Sequence, residues 1–232
     1  MIDIDKLDEK GLCKLFDHTQ LKAYAQKSDF EILCQEARDN GFMMVAINSY
    51  PVRLCKELLK GTDVHVGAAI SFPLGQMSIP SKCAETLNAI ADGADEIDYV
   101  INISKAKEHD YAYIREEMEA ITSLCKKRDI LIKVIFENCY LTKEEIRQIA
   151  SIARDVRSDF IKTSTGFGTS GATIEDIRLM KEAVGDQVKV KAAGGIRDWD
   201  TCKAMIEAGA ERIGTSSSVQ ILEQFRKQRK QN

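Results

Sequence analysis

The feature that most constrains the fold is a repeated alternation of short apolar segments with longer helical ones. We predict eight strands, near residues 14–18, 42–48, 65–71, 95–102, 130–137, 158–163, 188–192 and 211–214. We predict eight following helices, near residues 30–39, 51–60, 81–91, 109–127, 143–155, 173–183, 200–208 and 217–229. Strands that alternate with helices indicate parallel βαβ units. Eight such units in 232 residues favour a closed (β/α)8 barrel over an open doubly wound sheet.

The sequence shows no boundary between domains. No linker rich in Pro, Gly or Ser interrupts it, its composition does not shift, and it contains three prolines. Several predicted helices begin at polar caps: Thr142 with Glu145 forms a capping box, and Thr173 precedes an acidic first turn. We therefore expect residues 1–232 to form a single α/β domain, a TIM barrel with a short N-terminal helix.

Two predicted strands end in a lysine that is followed by a glycine-rich turn, in FIKTSTGFG (160–168) and VKVKAAGGIR (188–197). Burying an unpaired ammonium group is strongly unfavourable. In a (β/α)8 barrel, however, catalytic side chains lie at the carboxyl ends of the strands. Lys162 and Lys191 are therefore candidates for functional groups.

Charged residues are also expected inside the barrel, because side chains alternate between the two faces of a strand. In the segments 96–102, 132–137, 160–163 and 188–192, one face is uniformly apolar and the other is mixed. The apolar face fits the helix layer, so the mixed face should point into the barrel. The residues predicted to share this interior are Lys162, Lys191, Lys133, Asp98 and Glu137, with Lys189, Glu96 and Asp17 as further candidates. The alternative is an ion network that only holds the interior together, and we favour it for Lys133, Lys189, Glu96 and Glu137.

Turns rich in glycine and hydroxyl groups follow the last three predicted strands. They are TSTGFG (163–168), AAGGIR (192–197) and GTSSS (214–218). Glycine lets backbone N–H groups approach an anion closely, and the last turn opens a helix whose N-terminus attracts anions. Loops after strands 7 and 8 form the phosphate pocket of many barrel enzymes. The alternative is that these turns serve only as tight connections and helix caps.

These residues together predict a chemistry. Two neighbouring ammonium groups disfavour each other's charge and lower the pKa of at least one lysine. A neutral amine can attack a carbonyl group and form an imine. Asp98 would then be available for proton transfer. We therefore predict Schiff-base chemistry on a small phosphorylated carbonyl compound.

Composition limits the other classes of function. The formal charge is −3, which favours neither nucleic acid nor an acidic membrane surface. No apolar run is long enough to span a bilayer, and the start, MIDIDKLDEK, is too polar for a signal peptide. The seven cysteines include no C-x-x-C pair, so neither a zinc site nor a disulfide framework is indicated. We expect a cytoplasmic protein that binds no metal.

The chain resembles the class I 2-deoxyribose-5-phosphate aldolases over nearly its whole length. The segments that carry the resemblance are DHTQLK (17–22), INSYPV (47–52), SFPLG (71–75), GADEIDYVIN (93–102), LIKVIFEN (131–138), FIKTSTGF (160–167), VKAAGGIR (190–197) and RIGTSSS (212–218). The resemblance implies reversible cleavage of 2-deoxy-D-ribose 5-phosphate to D-glyceraldehyde 3-phosphate and acetaldehyde. It also implies no metal or organic cofactor. We further expect a homo-oligomer, either a dimer or a tetramer.

The resemblance also implies roles for individual residues. Lys162 would be the Schiff-base lysine, Lys191 the second lysine that lowers its pKa and relays protons, and Asp98 the acid/base carboxylate that works with bound water. The residues matching the support of the lysine cluster, the substrate hydroxyls and the phosphate turns are Asp17, Thr19, Gly166, Gly194, Gly195, Gly214, Ser216 and Ser217.

Three positions depart from the family pattern. Ala46 stands where members often have a cysteine that aldehydes can trap, which indicates better aldehyde tolerance. Phe167 stands where some members place a lysine near the phosphate, and Gln20 replaces a frequent leucine, which concerns packing. Two other enzyme classes remain open, a sugar-phosphate isomerase and a different lysine aldolase. A catalytically silent relative that acts as a binding or regulatory protein is a third alternative.

Overall fold

The computed structural model describes residues 2–231, except for the side chains of residues 230 and 231. Its eight parallel strands form a closed barrel in sequence order, which confirms the predicted (β/α)8 fold. The strands are Phe16–Gln20 (β1), Met44–Asn48 (β2), His65–Ile70 (β3), Glu96–Val100 (β4), Leu131–Ile135 (β5), Phe160–Lys162 (β6), Lys189–Ala193 (β7) and Arg212–Thr215 (β8). That residues 1–232 form one domain stays a prediction, because residues 1 and 232 lie outside the described residues.

Helices connect the strands and surround the barrel. The α-helices are Glu9–Cys13 (α1), Lys27–Asn40 (α2), Val52–Leu58 (α3), Ile79–Ala91 (α4), Ile103–Lys107 (α5), Tyr111–Lys126 (α6), Lys143–Val156 (α7), Ile174–Val184 (α8), Trp199–Glu207 (α9) and Ser218–Gln231 (α10). Short 3₁₀ turns occupy Ile4–Lys6 and Asn138–Tyr140. Helix α5 was not predicted, because five residues are too few to show a helical period.

Helices α7 and α8 begin at the capping residues that the sequence predicts. The Thr142 side chain accepts a hydrogen bond from Glu145 N, and the Glu145 carboxylate accepts one from Thr142 N at 2.7 Å. This reciprocal box starts α7. Thr173 caps α8 in a similar way, since its hydroxyl accepts a hydrogen bond from Asp176 N at 3.0 Å. The caps therefore fix where the chain turns from a strand's carboxyl end into the next helix.

The strand faces divide as the sequence predicts. Ile97 and Tyr99 on β4, and Ile132 and Val134 on β5, belong to the large apolar core between barrel and helices. The opposite face of β4 carries Glu96 and Asp98, both buried. Charged side chains on that face therefore share the barrel interior.

Candidate active site

Asp98 lies at the centre of a buried cluster of ammonium groups. Its Oδ1 accepts a hydrogen bond from Lys133 Nζ at 2.7 Å, and its Oδ2 accepts bonds from Lys162 Nζ at 3.0 Å and Lys191 Nζ at 2.7 Å. The lysines come from β5, β6 and β7, and the register places Asp98 beside Lys133 and Lys162 beside Lys191. All four side chains are buried. The prediction that these residues share one enclosure is confirmed.

A second group of charges adjoins this cluster. Asp17 on β1 pairs with Lys191 and with Arg212, whose Nε donates to Asp17 Oδ1 at 2.7 Å. Glu96 pairs with Lys133, and it also accepts a hydrogen bond from Arg212 Nη2 at 3.2 Å. Asp17 and Glu96 are therefore interior residues, as expected.

Arg212 was missed by sequence reasoning. It opens β8, and no role was predicted for it from the sequence. Its inward direction could have been found from the strand alternation, because Gly214 lies on the same face and Ile213 belongs to the apolar core.

Two residues predicted to lie inside the barrel do not join the cluster. Lys189 is exposed at the start of β7, and its ammonium group lies 5.6 Å from the centroid of the Phe160 ring. Lys189 is therefore accessible to water at the amino-terminal end of β7 and lies outside the buried cluster.

Glu137 is the other correction. Strand β5 ends at Ile135, and Glu137 has a left-handed backbone with a φ of 57°. Its buried carboxylate accepts hydrogen bonds from Thr165 N at 3.1 Å and from the Thr165 hydroxyl. Glu137 therefore ties down the loop after β6, because the strand alternation no longer applies once the strand has ended.

Lys162 has fewer carboxylate contacts than the other cations of the cluster. Lys162 contacts Asp98, whereas Lys191 contacts both Asp17 and Asp98. Burial, followed by the positive charge of Lys191, lowers the pKa of Lys162 to about 8, although Asp98 opposes the shift. We had expected the neighbouring cation to be the main cause, and burial is the larger one. A substantial fraction of this amine is therefore neutral near physiological pH.

Asp98 stays ionised. Burial favours its protonated form, but Lys133, Lys191 and Lys162 outweigh this effect and hold the pKa of Asp98 well below its usual range. A carboxylate that three ammonium groups stabilise in this way holds these groups in place and is a weak base.

A cavity of about 230 Å³ opens at the carboxyl ends of the strands, and Lys162 lines it. The predicted substrate residues that share its wall are Thr19, Gly166, Gly194, Gly195, Gly214 and Ser216. Ser217 lies outside the wall and donates its backbone N–H to the Thr215 hydroxyl at 2.9 Å. The three glycine turns therefore meet around one lysine, although they lie far apart in the sequence.

Glycine is required at two of these positions for different reasons. Gly194 has a φ of 86°, and a Cβ there would lie 2.9 Å from the Cα of Gly171. Gly214 has an ordinary backbone, but a Cβ there would lie 3.1 Å from Lys191 Cε and 3.0 Å from Ala193 Cβ. Gly214 thus leaves room for the second lysine.

Two cations at the cavity were not singled out from the sequence. Lys22 and Arg197 both line it and are both exposed. Arg197 lies two residues after Gly195 in the β7 turn, and this proximity was the available signal. Both side chains can add positive charge where an anionic ligand would enter.

The three positions that depart from the family pattern lie in or near the wall of this cavity. Phe167 is 54% exposed and packs edge-on against Phe72 at 5.5 Å between ring centroids. It lines both the 230 Å³ cavity and another of about 680 Å³. Ala46 is buried on β2 beside Thr19, and Gln20 lines the smaller cavity.

Two absences hold for residues 2–231. In that range no group of three or more His, Cys, Asp or Glu side chains has an arrangement suited to a metal ion. Within the same range, no helix combines the length and apolar character needed to cross a membrane.

Known proteins share this architecture. The family model described as DeoC/LacD family aldolase matches residues 12–223. Deoxyribose-phosphate aldolase of Lactobacillus acidophilus is 57% identical over 90% of this chain and 88% of its own. The same-named protein of Bacteroides thetaiotaomicron is 48% identical over 98% of this chain and 95% of its own.

A solved structure supports the same relationship. It is described as a tetrameric deoxyribose phosphate aldolase from Aeropyrum pernix, and it is 30% identical with a TM-score of 0.89. The match covers 96% of this chain and 94% of that one. With the family model matched over most of the sequence, the chain belongs to the DeoC/LacD family of aldolases.

Proposed function

We propose that this chain is a class I deoxyribose-phosphate aldolase. It cleaves 2-deoxy-D-ribose 5-phosphate reversibly to D-glyceraldehyde 3-phosphate and acetaldehyde through a Schiff base on Lys162. The observation that carries the proposal is a buried lysine of lowered pKa in the wall of a cavity that three glycine turns surround. The relatives that bear this enzyme name support the choice of substrate.

The reaction needs Lys162 as a neutral amine. Its nitrogen attacks C1 of the open-chain sugar, water leaves, and a protonated imine forms. The C3 hydroxyl gives its proton to a bound water as the C2–C3 bond breaks. The imine accepts the electron pair of that bond, and C3 leaves as the aldehyde carbon of glyceraldehyde 3-phosphate. The enamine that remains takes a proton at C2, and hydrolysis releases acetaldehyde and the free lysine.

Lys191 and Asp98 position and protonate this centre. Asp98 Oδ2 contacts the nitrogens of both Lys162 and Lys191, so one oxygen fixes the distance between them. Lys191 is the proton carrier of the pair, and its charge favours the neutral form of Lys162. Asp98 acts as acid or base through a bound water, as the family resemblance implies. Its low pKa makes this a minor role in the resting cluster, where it chiefly holds the two lysines.

The phosphate end of the substrate binds at the glycine turns. Backbone N–H groups around Gly166, Gly194, Gly195, Gly214 and Ser216 provide uncharged donors, and helix α10 begins shortly after Ser216. Ser217, which was also predicted to bind the phosphate, already donates its N–H to Thr215. Lys22 and Arg197 add charge at the rim. Thr19 donates its hydroxyl to the Asp17 carbonyl at 2.9 Å and faces the substrate hydroxyls.

Trapping with borohydride tests this proposal. Acetaldehyde and borohydride should add one two-carbon unit to the peptide that contains Lys162, and Lys162→Arg should abolish the adduct. An adduct found only at Lys191 would reverse the two lysine roles. Sugar-phosphate isomerisation without any adduct would identify an isomerase, and absence of both turnover and adduct would identify a binding protein.

The proposal also covers the oligomeric state of the protein and its cellular compartment. We expect a homo-oligomer, a dimer or a tetramer, that works in the cytoplasm. The tetrameric relative from Aeropyrum pernix supports assembly. Sedimentation velocity at several protein concentrations measures it, and a concentration-independent monomer would contradict the expectation.

A further inference from the structure

Arg212 lies too deep in the barrel to meet the substrate, yet it is bound into the cluster that holds Lys162. It is buried, its guanidinium contacts Asp17 and Glu96, and its carbon Cζ lies 5.7 Å from the centroid of the Phe160 ring. Its Nη2 also lies 3.7 Å from the sulfur of Met44. Arg212 is not among the residues that line the substrate cavity. Whatever Arg212 contributes to the reaction must therefore act through other side chains.

The charges that salt bridges connect in this interior do not cancel. In the part of the chain that the structure describes, the connected buried cluster holds four cationic side chains and three carboxylates. The cations are Lys133, Lys162, Lys191 and Arg212, and the carboxylates are Asp17, Glu96 and Asp98. A net charge in a low-dielectric interior is unfavourable, and loss of one proton removes it.

The contacts decide which cation loses the proton. Arg212 cannot deprotonate at any ordinary pH. Lys133 and Lys191 each touch more than one carboxylate, whereas Lys162 touches Asp98 alone within salt-bridge distance. Lys162 therefore loses its proton at the lowest cost.

We propose that Arg212 and Glu96 form a positioning pair that sets the charge balance of the barrel interior and thereby determines how much of Lys162 is the neutral amine. This inference rests on the proposed function, because it assigns the neutral amine to the Schiff-base step. Arg212 supplies the positive charge by which the cations of the cluster outnumber its carboxylates. Glu96 limits the excess, since it neutralises one of the remaining cations.

Among residues 2–231, three other ionisable groups lie near this cluster. Glu137, after β5, is buried and makes no salt bridge to Lys162; burial raises its pKa, and the charge of Lys162 opposes this shift. Its carboxylate accepts hydrogen bonds from Thr165, and the exchanges of Arg212 and Glu96 leave these bonds in place, so the direction of each expected shift is unchanged.

On β3, His65 Nδ1 donates to the Glu96 carboxylate at 2.7 Å, and this hydrogen bond raises the pKa of His65 against the opposing effect of burial. His65 adds positive charge only as the pH falls, and its side chain is 42% exposed. Lys189 on β7 is exposed, and β2 contributes the uncharged Met44.

Removing a positive charge and removing a negative charge should shift the pH midpoint in opposite directions. A general loss of structure would not produce this pattern. Arg212→Met removes a positive charge, so the pH midpoint of imine formation at Lys162 should rise by about one unit. Glu96→Gln removes a negative charge, so the midpoint should fall by a similar amount. The double variant Arg212→Met/Glu96→Gln restores the original balance and should return the midpoint towards the wild-type value. Lys189→Met, which removes an exposed charge from β7, is the matched control and should leave the midpoint unchanged.

The measurement is the initial rate of acetaldehyde adduct formation at Lys162 as a function of pH, with samples trapped by borohydride and mapped by mass spectrometry. Shifts in opposite directions that cancel in the double variant support the proposal. Equal midpoints in wild type and in both single variants overturn it. If Arg212→Met fails to fold, the downward shift in Glu96→Gln decides alone, and its absence overturns the proposal. A wild-type protein without any adduct at Lys162 would instead refute the proposed function.

Discussion

Replacing Lys191 by leucine should move imine formation at Lys162 to higher pH. The nitrogens of both lysines contact Asp98 Oδ2, at 3.0 and 2.7 Å, so they are at most about 6 Å apart. At an effective dielectric constant of about 20, two unit charges at this distance repel each other by ~3 kcal/mol, which corresponds to about two pK units. Lys191→Leu also leaves Asp17 and Asp98 with one cation fewer, and this favours protonated Lys162 in the same direction.

The assay is the pH dependence of borohydride trapping at Lys162, together with retro-aldol turnover. The neutral amine is lost as the pH falls below the pKa of Lys162, which is about 8 in the unmodified protein. A two-unit rise should therefore lower the trapping rate near pH 7 by about a hundredfold. Lys191→Arg, which keeps the charge but cannot exchange protons, should retain much of the low midpoint and little turnover. An unchanged midpoint in Lys191→Leu would show that burial alone activates Lys162.

Four further outcomes follow from the structure. Lys162→Ala should lose turnover by ~10⁴-fold or more while circular dichroism shows a folded protein, because no other group replaces the covalent step. Phe167→Lys should lower the KM for the phosphorylated substrate about two- to fivefold without changing kcat, since it adds an exposed cation beside the cavity. Exhaustive EDTA treatment should leave the cleavage rate unchanged, and recovery by added zinc would contradict imine catalysis. Glu145→Gln should cost ~1 kcal/mol at pH 7 in urea unfolding and progressively less as the pH falls from 4.5 towards 2. Burial opposes ionised Glu145, but its hydrogen bonds from Lys107 and Thr142 lower its pKa from 4.5 to about 2, so its contribution is lost as the pH falls through that range.

The sequence pattern was sufficient to predict the strand order, the inward faces and the meeting of the three lysines with Asp98. These features depend on periods of two and on the closed parallel order, both of which are local or topological. The direction of Glu137 was not predictable in this way, because a single left-handed residue after β5 turns its carboxylate to Thr165. The number of carboxylate contacts made by Lys162 could not be predicted from the sequence either. Which lysine has the fewest carboxylate contacts depends on side-chain positions that emerge only when all eight strands close.

Gly214 borders both the lysine cluster and the cavity assigned to the phosphate, and this limits how the enzyme can be redesigned. Its missing side chain leaves the space in which Lys191 Cε lies, and the same residue lines the cavity assigned to the phosphate. A library that randomises the turn after β8 to accept other anions would therefore also disturb the proton carrier beneath it. Selections for new acceptor aldehydes should keep glycine at this position and vary Phe167 or Gln20, whose side chains line the cavity without contacting the lysine cluster.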